Sequence, residues 1–494
     1  MTRSSLRGIG AISIAVLVGA GALLTLRSRD ADGRNAGSSA PAPLISLEPA
    51  ASTVAFIDVT VIPMDRDGVA PNQTVVVRDG RIVSVSPSAG ASIPADALRI
   101  DGKGKFLMPG LAEMHAHVQG SQAANSEELN RDIMFLYIAN GITSIRAMLG
   151  APNQLVLRQQ LERSEVLGPT MYVSAPSLNG QSAPDPETAI RLVRAHKEAG
   201  YDLLKIHPGL NRPAYDAIVR TAREVGITWA GHVSAQIGVD HILDTKQSTI
   251  DHLDGYIEAA ASEEVRRAMA SSSTQVTLPQ MWRSVTDARM RELARKTKQA
   301  GTWNVPTMFL WESFFAPGSP EEWARRDEMK YAPKQWVNNW MNQKRQRIQG
   351  DAQSGVAPAD AALHIGLRRK MLKALADEGA PLLMGTDSPQ MFNVPGFALH
   401  RELQVAIDAG LTPYQVLESG TRNVGRYVAQ DLKLDGNFGT VTAGGRADLV
   451  LLNANPLQSL RNLTDRAGVM VKGRWVPRSE IDKGLETLAT RYAQ

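Results

Sequence analysis

Short apolar runs alternate with helical segments between residues 109 and 425, and this alternation constrains the fold more than any other feature. Runs such as GITSIRAM, TMYVSAP, YDLLKIH and APLLMGTDS are typical of buried strands. The segments between them, such as PETAIRLVRAHKEAG, have the apolar spacing of amphipathic helices. Eight repeats of strand and helix suit a closed barrel, whose usual length is about 250 residues before insertions. We therefore predict an α/β fold with a (β/α)8 TIM barrel over residues 109–430.

Runs of β-branched residues, separated by Asp-Gly, Gly and Pro turn signals, flank the barrel on both sides. On the N-terminal side they include VAFIDVTVIP and QTVVVRDGRIVSVSP, and on the C-terminal side GTVTAGGRADLVLLN and RAGVMVKGRWVP. This pattern indicates short antiparallel strands. We predict that residues 54–108 and 431–480 pair into one small composite β-sandwich domain.

The N-terminal segment contains an uncharged run of 19 residues, Gly8–Leu26, between flanking arginines. As a helix this run would be about 28 Å long, which nearly spans a bilayer. We predict that residues 1–29 form a transmembrane anchor or a signal segment, and that the Ser-, Ala-, Pro- and Gly-rich residues 30–53 form a flexible linker. The expected location is a membrane-anchored barrel on the periplasmic or extracytoplasmic side, with secretion after signal cleavage as the alternative.

Composition excludes several classes of chemistry. The chain has no Cys, so a metal must be held by His, Asp, Glu or modified Lys, and a cysteine nucleophile is excluded. The formal net charge is +4, but the first 34 residues supply most of it. The remaining 460 residues hold 49 basic and 48 acidic groups. This balance gives no basic face, and we expect no nucleic-acid partner.

Residues of metal-binding type stand at the C-terminal ends of the predicted barrel strands, where barrel active sites are built. His115 and His117 are two apart on the first strand, so their side chains point to the same side. Four further groups end other apolar strands: Lys205, His232, His252 and Asp387. Buried imidazoles and charges need partners. Six such groups at one edge of the barrel therefore indicate a metal site.

These motifs resemble the amidohydrolase superfamily, specifically its binuclear members related to the prolidases and the imidazolonepropionase-like hydrolases. PGLAEMHAHV resembles the first-strand signature, DLLKIH the lysine strand, GHVS and IDHLD the two histidine strands, and LLMGTDS the eighth strand. LESGTRNVGRYV and GTVTAGGRADLVLLNANPL resemble the closing segment of the family. The resemblance covers residues 54–478, and its departures are small: Ala112 and Glu113 stand where Ile-Asp is more usual.

The resemblance implies a centre of two divalent metal ions, with zinc as the first candidate and manganese or cobalt as alternatives. The HxH pair and Asp387 would hold one ion. His232 and His252 would hold the other, and Lys205, carboxylated by carbon dioxide, would bridge them. Such a pair of ions lowers the pKa of a shared water from 15.7 toward about 7, and Asp387 would then shuttle its proton. The implied activity is hydrolysis of a C–N amide bond in a dipeptide, an Xaa-Pro substrate or an N-acyl amino acid.

Lys205 favours two metals and hydrolysis over the other reactions of the family. A lysine desolvated in a barrel loses part of its preference for the charged form, and its neutral amine can add carbon dioxide to become a carbamate. Family deaminases and the imidazolonepropionases proper tend to lack this lysine and use one metal. The alternatives are hydrolysis of a cyclic amide, a lactone or a phosphotriester at the same centre, or a membrane-tethered binding protein without turnover.

Two more residues are candidates for substrate binding. Arg146 ends the strand GITSIR and could pair with a substrate carboxylate or with a neighbouring acid, and His207 follows Lys205 by two residues. Six of the eight Trp fall between Trp282 and Trp340. This stretch predicts a lid over the barrel mouth, a helical insertion packed on the barrel, or a contact between copies of a homo-oligomer.

Overall fold

The computed structural model describes residues 44–45, 51–120, 126–271 and 275–493. Its strands, in chain order, are β1 (Thr53–Val61), β2 (Ala70–Arg78), β3 (Arg81–Pro87), β4 (Leu98–Asp101), β5 (Phe106–Pro109), β6 (Leu111–Ala116), β7 (Ile142–Ala147), β8 (Thr170–Val173), β9 (Leu203–Ile206), β10 (Thr228–Gly231), β11 (Thr249–Asp251), β12 (Trp303–Val305), β13 (Leu449–Leu452), β14 (Arg466–Val471) and β15 (Arg474–Pro477).

The helices are α1 (Ser126–Ala139), α2 (Pro152–Glu162), α3 (Pro186–Glu198), α4 (Arg212–Val225), α5 (Gly238–Asp244), α6 (Tyr256–Ala259), α7 (Glu263–Ala270), α8 (Leu278–Arg283), α9 (Asp287–Ala300), α10 (Met308–Phe315), α11 (Pro320–Ala324), α12 (Lys334–Gln353), α13 (Pro358–Glu378), α14 (Phe397–Asp408), α15 (Pro413–Ser419), α16 (Arg422–Tyr427) and α17 (Arg478–Ala493). Shorter helical turns lie at Asp327–Tyr331, Val428–Leu432 and Leu460–Thr464.

Eight parallel extended segments close into a ring. β6, β7 and β8 form one parallel sheet, and β9, β10, β11 and β12 form another. Single bridges join these sheets to each other and to the extended residues 382–388, which in turn pair with β6. The bridging pairs are Ser174 with Leu203, Asn304 with Leu382, and Ala116 with Ser388. The ring agrees with the predicted (β/α)8 barrel and brings the C-terminal ends of its strands to one mouth.

Local sequence explains where the barrel helices begin and end. The Asn211 side chain accepts a hydrogen bond from a backbone N–H in the first turn of α4 at 2.9 Å, and Pro213 stands in that turn. α4 ends at Gly226, whose φ of 67° is left-handed. Asp185 caps α3 in the same way at 2.8 Å. These caps fix where the helices begin and end, and the helices connect the strands that carry the predicted site.

The two flanking segments meet in one sheet, with strand order β15-β14-β13-β5-β1-β2-β3 and β4 beside β1. The sheet folds over its own apolar core, because Trp475 of β15 packs on Phe56 of β1 with ring centroids 5.3 Å apart. The Ile82 N–H of β3 also donates to the Gly445 carbonyl at 2.9 Å. The predicted two-sheet sandwich is therefore corrected to one continuous sheet. Register shifts in β1 around Val59 add the twist that folds it.

The tryptophans between Trp282 and Trp340 lie mostly inside the protein. Five of these six are buried: Trp282, Trp303, Trp311, Trp323 and Trp340. The Trp282 ring stacks flat on the His364 ring of α13, with centroids 4.5 Å apart and an angle of 6°. This burial supports the interpretation of the stretch as a packed helical insertion.

The predicted anchor or signal at residues 1–29 lies outside the described residues, as does most of the predicted linker at 30–53. β1 begins at Thr53, the last residue of that predicted linker. Within the described ranges, no helix has the length and apolar character needed to cross a membrane.

Candidate metal centre

The structure brings all six predicted metal ligands to the mouth of the barrel. Their places are His115 in β6, His117 just beyond it, Lys205 in β9, His232 after β10, His252 after β11 and Asp387 in the extended residues 382–388. The alternation of side chains along β9 places Lys205 on the opposite face from Leu204 and Ile206, which pack in the outer core.

His115 lies at the centre of the cluster. Its Nε2 atom lies 3.3 Å from Lys205 Nζ and 3.5 Å from Asp387 Oδ1. Asp387 Oδ1 is also in direct contact with His117 Nε2. His117 is the most accessible of these four, with 16% of its side chain exposed, whereas Lys205 is 1% exposed. The mouth therefore opens on the His117 side.

The other two histidines extend the cluster. Asp387 Oδ2 lies 3.6 Å from His252 Nδ1, and the His115 and His252 rings have centroids 4.5 Å apart. The His232 ring lies 4.6 Å from that of His252. Ligand atoms of His115, His252 and Asp387 all lie within 4.8 Å of one another. This spacing is compatible with side chains that share a metal centre.

Two of the histidines have a hydrogen-bond partner for their second ring nitrogen: His232 Nδ1 pairs with Asp254 Oδ2 at 2.7 Å, and His252 Nδ1 with Thr307 Oγ1 at 2.8 Å. Such partners orient an imidazole and set which nitrogen faces a metal. His115 Nδ1 lies 2.9 Å from Asp251 Oδ2 but without hydrogen-bond geometry. In the described residues, His252 Nε2 is buried without a hydrogen-bond partner. A bound metal ion would satisfy such an atom, which is otherwise costly to bury.

Burial favours the neutral forms of the basic groups in the cluster. It lowers the pKa of His232 to about 3, and it lowers the pKa values of His115 and His252 well below the usual value for histidine. Burial likewise lowers the pKa of Lys205 to about 8. Neutral imidazoles and a readily deprotonated amine are the forms that bind metal or react with carbon dioxide.

Glu113 is a buried residue of the site that the sequence marked only as a departure from the family pattern. One carboxylate oxygen accepts hydrogen bonds from the His115 N–H at 2.9 Å and the Thr386 N–H at 2.8 Å. The other accepts from the Thr386 hydroxyl at 2.5 Å. Glu113 therefore ties β6 to the segment that carries Asp387. The glutamate side chain is longer than that of the more usual aspartate, and it reaches from one strand to the other.

Arg146 lies below the mouth, and the expectation that it binds substrate is corrected. It is fully buried, and its guanidinium donates to Asp251 at 3.2 Å and to the Tyr427 hydroxyl at 3.0 Å. It also donates to the Met114 carbonyl at 2.7 Å and to the Thr249 hydroxyl at 3.3 Å. Burial alone would raise the pKa of Asp251, but the nearby guanidinium outweighs this and lowers it. The arginine pairs with a neighbouring acid, and all its donors are used inside the barrel. None is therefore left for a substrate carboxylate.

His207 lies beside the cluster. Its ring is 4.7 Å from that of His232, edge to face, and burial lowers its pKa to about 2. This position at the mouth, next to His232, keeps His207 a candidate for contact with substrate.

The backbone at the mouth is held in an uncommon conformation. His252, Thr307 and Asp387 all have left-handed φ values, at 63°, 47° and 64°. Non-glycine residues adopt this region at a cost, and they do so where surrounding contacts determine the conformation, often at functional sites. The three residues turn the chain sharply at strand ends and direct their side chains into the cluster.

Comparison with known proteins agrees with this geometry. A sequence profile described as the amidohydrolase family matches residues 106–476, which include the barrel and much of the flanking sheet. The chain belongs to the amidohydrolase family. The chemistry of that family and the cluster of His115, His252 and Asp387 make it a metal-binding hydrolase that acts on C–N bonds.

Two curated relatives come from Rubrobacter xylanophilus. An imidazolonepropionase is 25% identical over 405 residues, which cover 77% of this chain and 84% of the relative. An adenine deaminase is 23% identical over 167 residues, which cover 33% of this chain and only 27% of the relative. The match to the deaminase is thus confined to about a quarter of that protein.

Solved structures show the same fold. A putative prolidase from Bifidobacterium longum aligns with a TM-score of 0.62 and 24% identity over 89% of this chain and 100% of its own. A bottromycin amidohydrolase aligns with a TM-score of 0.69 and 22% identity over 91% of this chain and 93% of its own. This amidohydrolase fold places the six predicted ligands at the mouth of a barrel.

Proposed function

We propose that the protein hydrolyses the C–N amide bond of a small substrate, such as a dipeptide of the Xaa-Pro type or an N-acyl amino acid, with two divalent metal ions. The observation that carries this proposal is Lys205, a lysine buried to 1% exposure in β9 with its Nζ atom 3.3 Å from His115. A buried ammonium beside histidines is costly. Once it is converted to an anion, a lysine in this place would serve as a metal ligand.

The residues at the mouth suit two metal ions. His115, His117 and Asp387 would hold one ion, His232 and His252 the other, and carboxylated Lys205 would contribute to both. Imidazole and carboxylate donors fit zinc first, and manganese or cobalt as alternatives. When bound, such ions polarise the scissile carbonyl and make a water molecule acidic enough to attack it near neutral pH.

Lys205 takes part through its neutral amine. The Nζ lone pair forms a bond to the carbon of carbon dioxide, and one Nζ proton leaves to solvent. The product is a carbamate whose single negative charge is shared by two oxygens. This step replaces a cation that repels metals by an anion that attracts them.

Asp387 is the proposed proton carrier. It lies 3.5 Å from His115 Nε2 through Oδ1 and 3.6 Å from His252 Nδ1 through Oδ2. A carboxylate oxygen of Asp387 accepts a proton from the attacking water and donates it to the leaving nitrogen as the C–N bond breaks. The products are a carboxylate and an amine.

A ring amide is the second candidate substrate. The relative from Rubrobacter xylanophilus with 84% of its length matched is named an imidazolonepropionase. Lys205 favours the first candidate, because the resemblance described above links this lysine to binuclear hydrolases.

The test is a substrate panel combined with metal analysis of the full-length protein. The protein would be loaded with zinc, manganese or cobalt in the presence of bicarbonate, then assayed on Xaa-Pro dipeptides, N-acyl amino acids, an imidazolone, a lactone and a phosphotriester. We expect about two ions per chain and turnover of an amide. Less than one ion per chain would contradict the binuclear centre, and turnover confined to the lactone or phosphotriester would contradict the amide assignment.

A further inference from the structure

The carbonyl oxygen of His252 is held by two side chains of the helical insertion. Trp311 Nε1 of α10 donates to it at 3.1 Å, and Arg368 Nη2 of α13 donates to the same oxygen at close range. His252 and the following Leu253 both have left-handed φ values, 63° and 51°. The two donors therefore meet the chain where it turns out of β11.

The two donors support each other. The Arg368 guanidinium stacks over the Trp311 ring, with Cζ 3.5 Å from the ring centroid. On the far side, Arg368 Nη1 lies 3.5 Å from Nε2 of His364, whose ring is stacked on Trp282. Arg368 is 3% exposed, so its charge is desolvated and its position is set by these neighbours. A packed aromatic stack thus fixes a cation against the backbone of a predicted metal ligand.

The other contacts of His252 show that the contacts to its carbonyl help to set the orientation of its imidazole. Its N–H donates to the Val305 carbonyl at 2.8 Å, and its Nδ1 atom lies 2.8 Å from Thr307 Oγ1. With the N–H, the carbonyl and the ring all held, the imidazole has one orientation relative to Asp387. Loss of the carbonyl contacts would leave the left-handed turn to relax and the ring to rotate.

We propose that Arg368 and Trp311 are positioning residues that fix His252 for metal binding. The inference rests on the metal centre of the proposed function, but it concerns how the insertion determines metal affinity. It gives the tryptophan-rich segment a role besides packing.

Cobalt titration of the full-length protein tests this role without any substrate. The absorption of bound Co²⁺ reports the ligand geometry, and competition with a chelator gives the affinity of each ion. We expect Arg368→Met to weaken the second ion by about 10- to 100-fold, as is typical when an outer partner of a metal ligand is removed. Trp311→Phe, which removes the indole N–H and keeps an aromatic ring, should have a smaller effect in the same direction, and Arg368→Lys should restore part of the loss.

Arg347→Met is the matched control. The Arg347 guanidinium also stacks on an aromatic ring of the insertion, with Cζ 4.1 Å from the centroid of Phe315, but it pairs with Asp351. We expect its cobalt spectrum and affinities to equal those of the wild type. If Arg368→Met does not fold, Trp311→Phe alone decides the matter.

Three results would overturn the inference. Folded Arg368→Met and Trp311→Phe proteins with wild-type cobalt affinity and spectrum would remove the positioning role and leave the proposed function intact. An equal loss in Arg347→Met would assign the effect to general packing. Failure of the wild type itself to bind cobalt would overturn both this inference and the proposed metal centre.

Discussion

The barrel mouth and the flanking sheet are both built from short strands, but they bury opposite kinds of side chain. At the mouth, His115, Lys205 and Asp387 are all at most 2% exposed. The core of the flanking sheet is apolar, with Phe56 of β1 and Met470 of β14 both fully buried. Burial of apolar groups stabilises a fold, whereas burial of polar groups reduces its stability unless partners compensate. The apolar core of the sheet therefore raises the free energy of unfolding, whereas the polar groups buried at the mouth lower it.

The largest effect that should separate the two regions is on turnover. Asp387→Asn keeps the size of the side chain but removes the proposed base for proton transfer, so we expect amide turnover to fall by about 10²- to 10⁴-fold. The unfolding free energy should change little. Steady-state kinetics on the substrate found in the panel, together with urea unfolding, measures both. Near wild-type turnover in Asp387→Asn would remove this residue from proton transfer.

The reverse pattern is expected in the flanking sheet. Phe56→Ala deletes a ring packed on Trp475 and should lower the unfolding free energy by about 3–5 kcal/mol. Turnover per folded molecule should stay at the wild-type level, because the sheet does not contribute to the mouth. Val83→Ala, at a side chain that is 49% exposed in the same sheet, is the control, with an expected change within about 0.5 kcal/mol. A loss of turnover in folded Phe56→Ala would break the separation of the two regions.

Two buried lysines, Lys205 in β9 and Lys344 in α12, should respond in opposite ways to loss of their amino group. Lys205→Met should reduce metal content to at most one ion per chain, yet leave the metal-free protein as stable as the wild type or about 1–4 kcal/mol more stable, because a desolvated charge is removed. Lys344, also 1% exposed, donates to the Ser313, Phe314 and Ala316 carbonyls at 2.9, 3.1 and 2.8 Å.

Lys344→Met is the matched control for Lys205→Met, and we expect the opposite changes in stability and metal content. It should lose about 1–3 kcal/mol of stability, because buried carbonyls lose their donor, and it should keep its metal. Metal analysis and urea unfolding of both variants check the prediction. Equal metal content in the two variants would contradict a special role for Lys205.

The last expected effect is a dependence of the unfolding free energy on pH that arises from a buried carboxyl packed outside the mouth. Burial raises the pKa of Glu402 to about 8, although it accepts hydrogen bonds from the Met308 and Phe309 N–H groups at 2.8 and 2.6 Å. The folded chain therefore holds a proton that the unfolded chain releases above its ordinary pKa. This contribution to stability is fully present below about 4.5 and is lost as pH rises toward about 8.

Glu402→Gln cannot titrate, so its unfolding free energy should fall less steeply between pH 5 and 8, by at most about 1.4 kcal/mol per pH unit. Urea unfolding at four pH values compares it with the wild type and with the exposed Glu486→Gln. Identical slopes in all three proteins would show that Glu402 is charged in the folded state.

The sequence predicted the six groups at the mouth because each follows an apolar run, and parallel strands bring their C-terminal ends together. It did not predict Arg368 and Trp311, since these side chains reach His252 from helices far along the chain. Arg146 could not be assigned either, because its partner Asp251 lies on another strand, 105 residues further along the chain. Long-range side-chain contacts of this kind leave no periodic pattern.

The ends of the flanking domain were also harder to predict. α17 extends to Ala493, beyond the boundary at residue 480, and it packs on α1 through Arg491 and Tyr492, which both contact Asp132. Gly484 allows this close approach, since a Cβ there would lie 2.5 Å from the Phe135 ring. The helix buries little apolar surface of its own, so its sequence gave a weak signal.

The seam between Ala116 and Ser388 has a consequence for how the enzyme matures. Asp387 and His117, which touch across it, are 270 residues apart in the chain. A nascent chain therefore lacks the complete site until nearly the whole barrel has been synthesised and its first and last strands have met. The set of predicted metal ligands is therefore complete only in the closed ring. An incomplete or misassembled chain lacks the full centre and cannot bind an ion there as the finished barrel would.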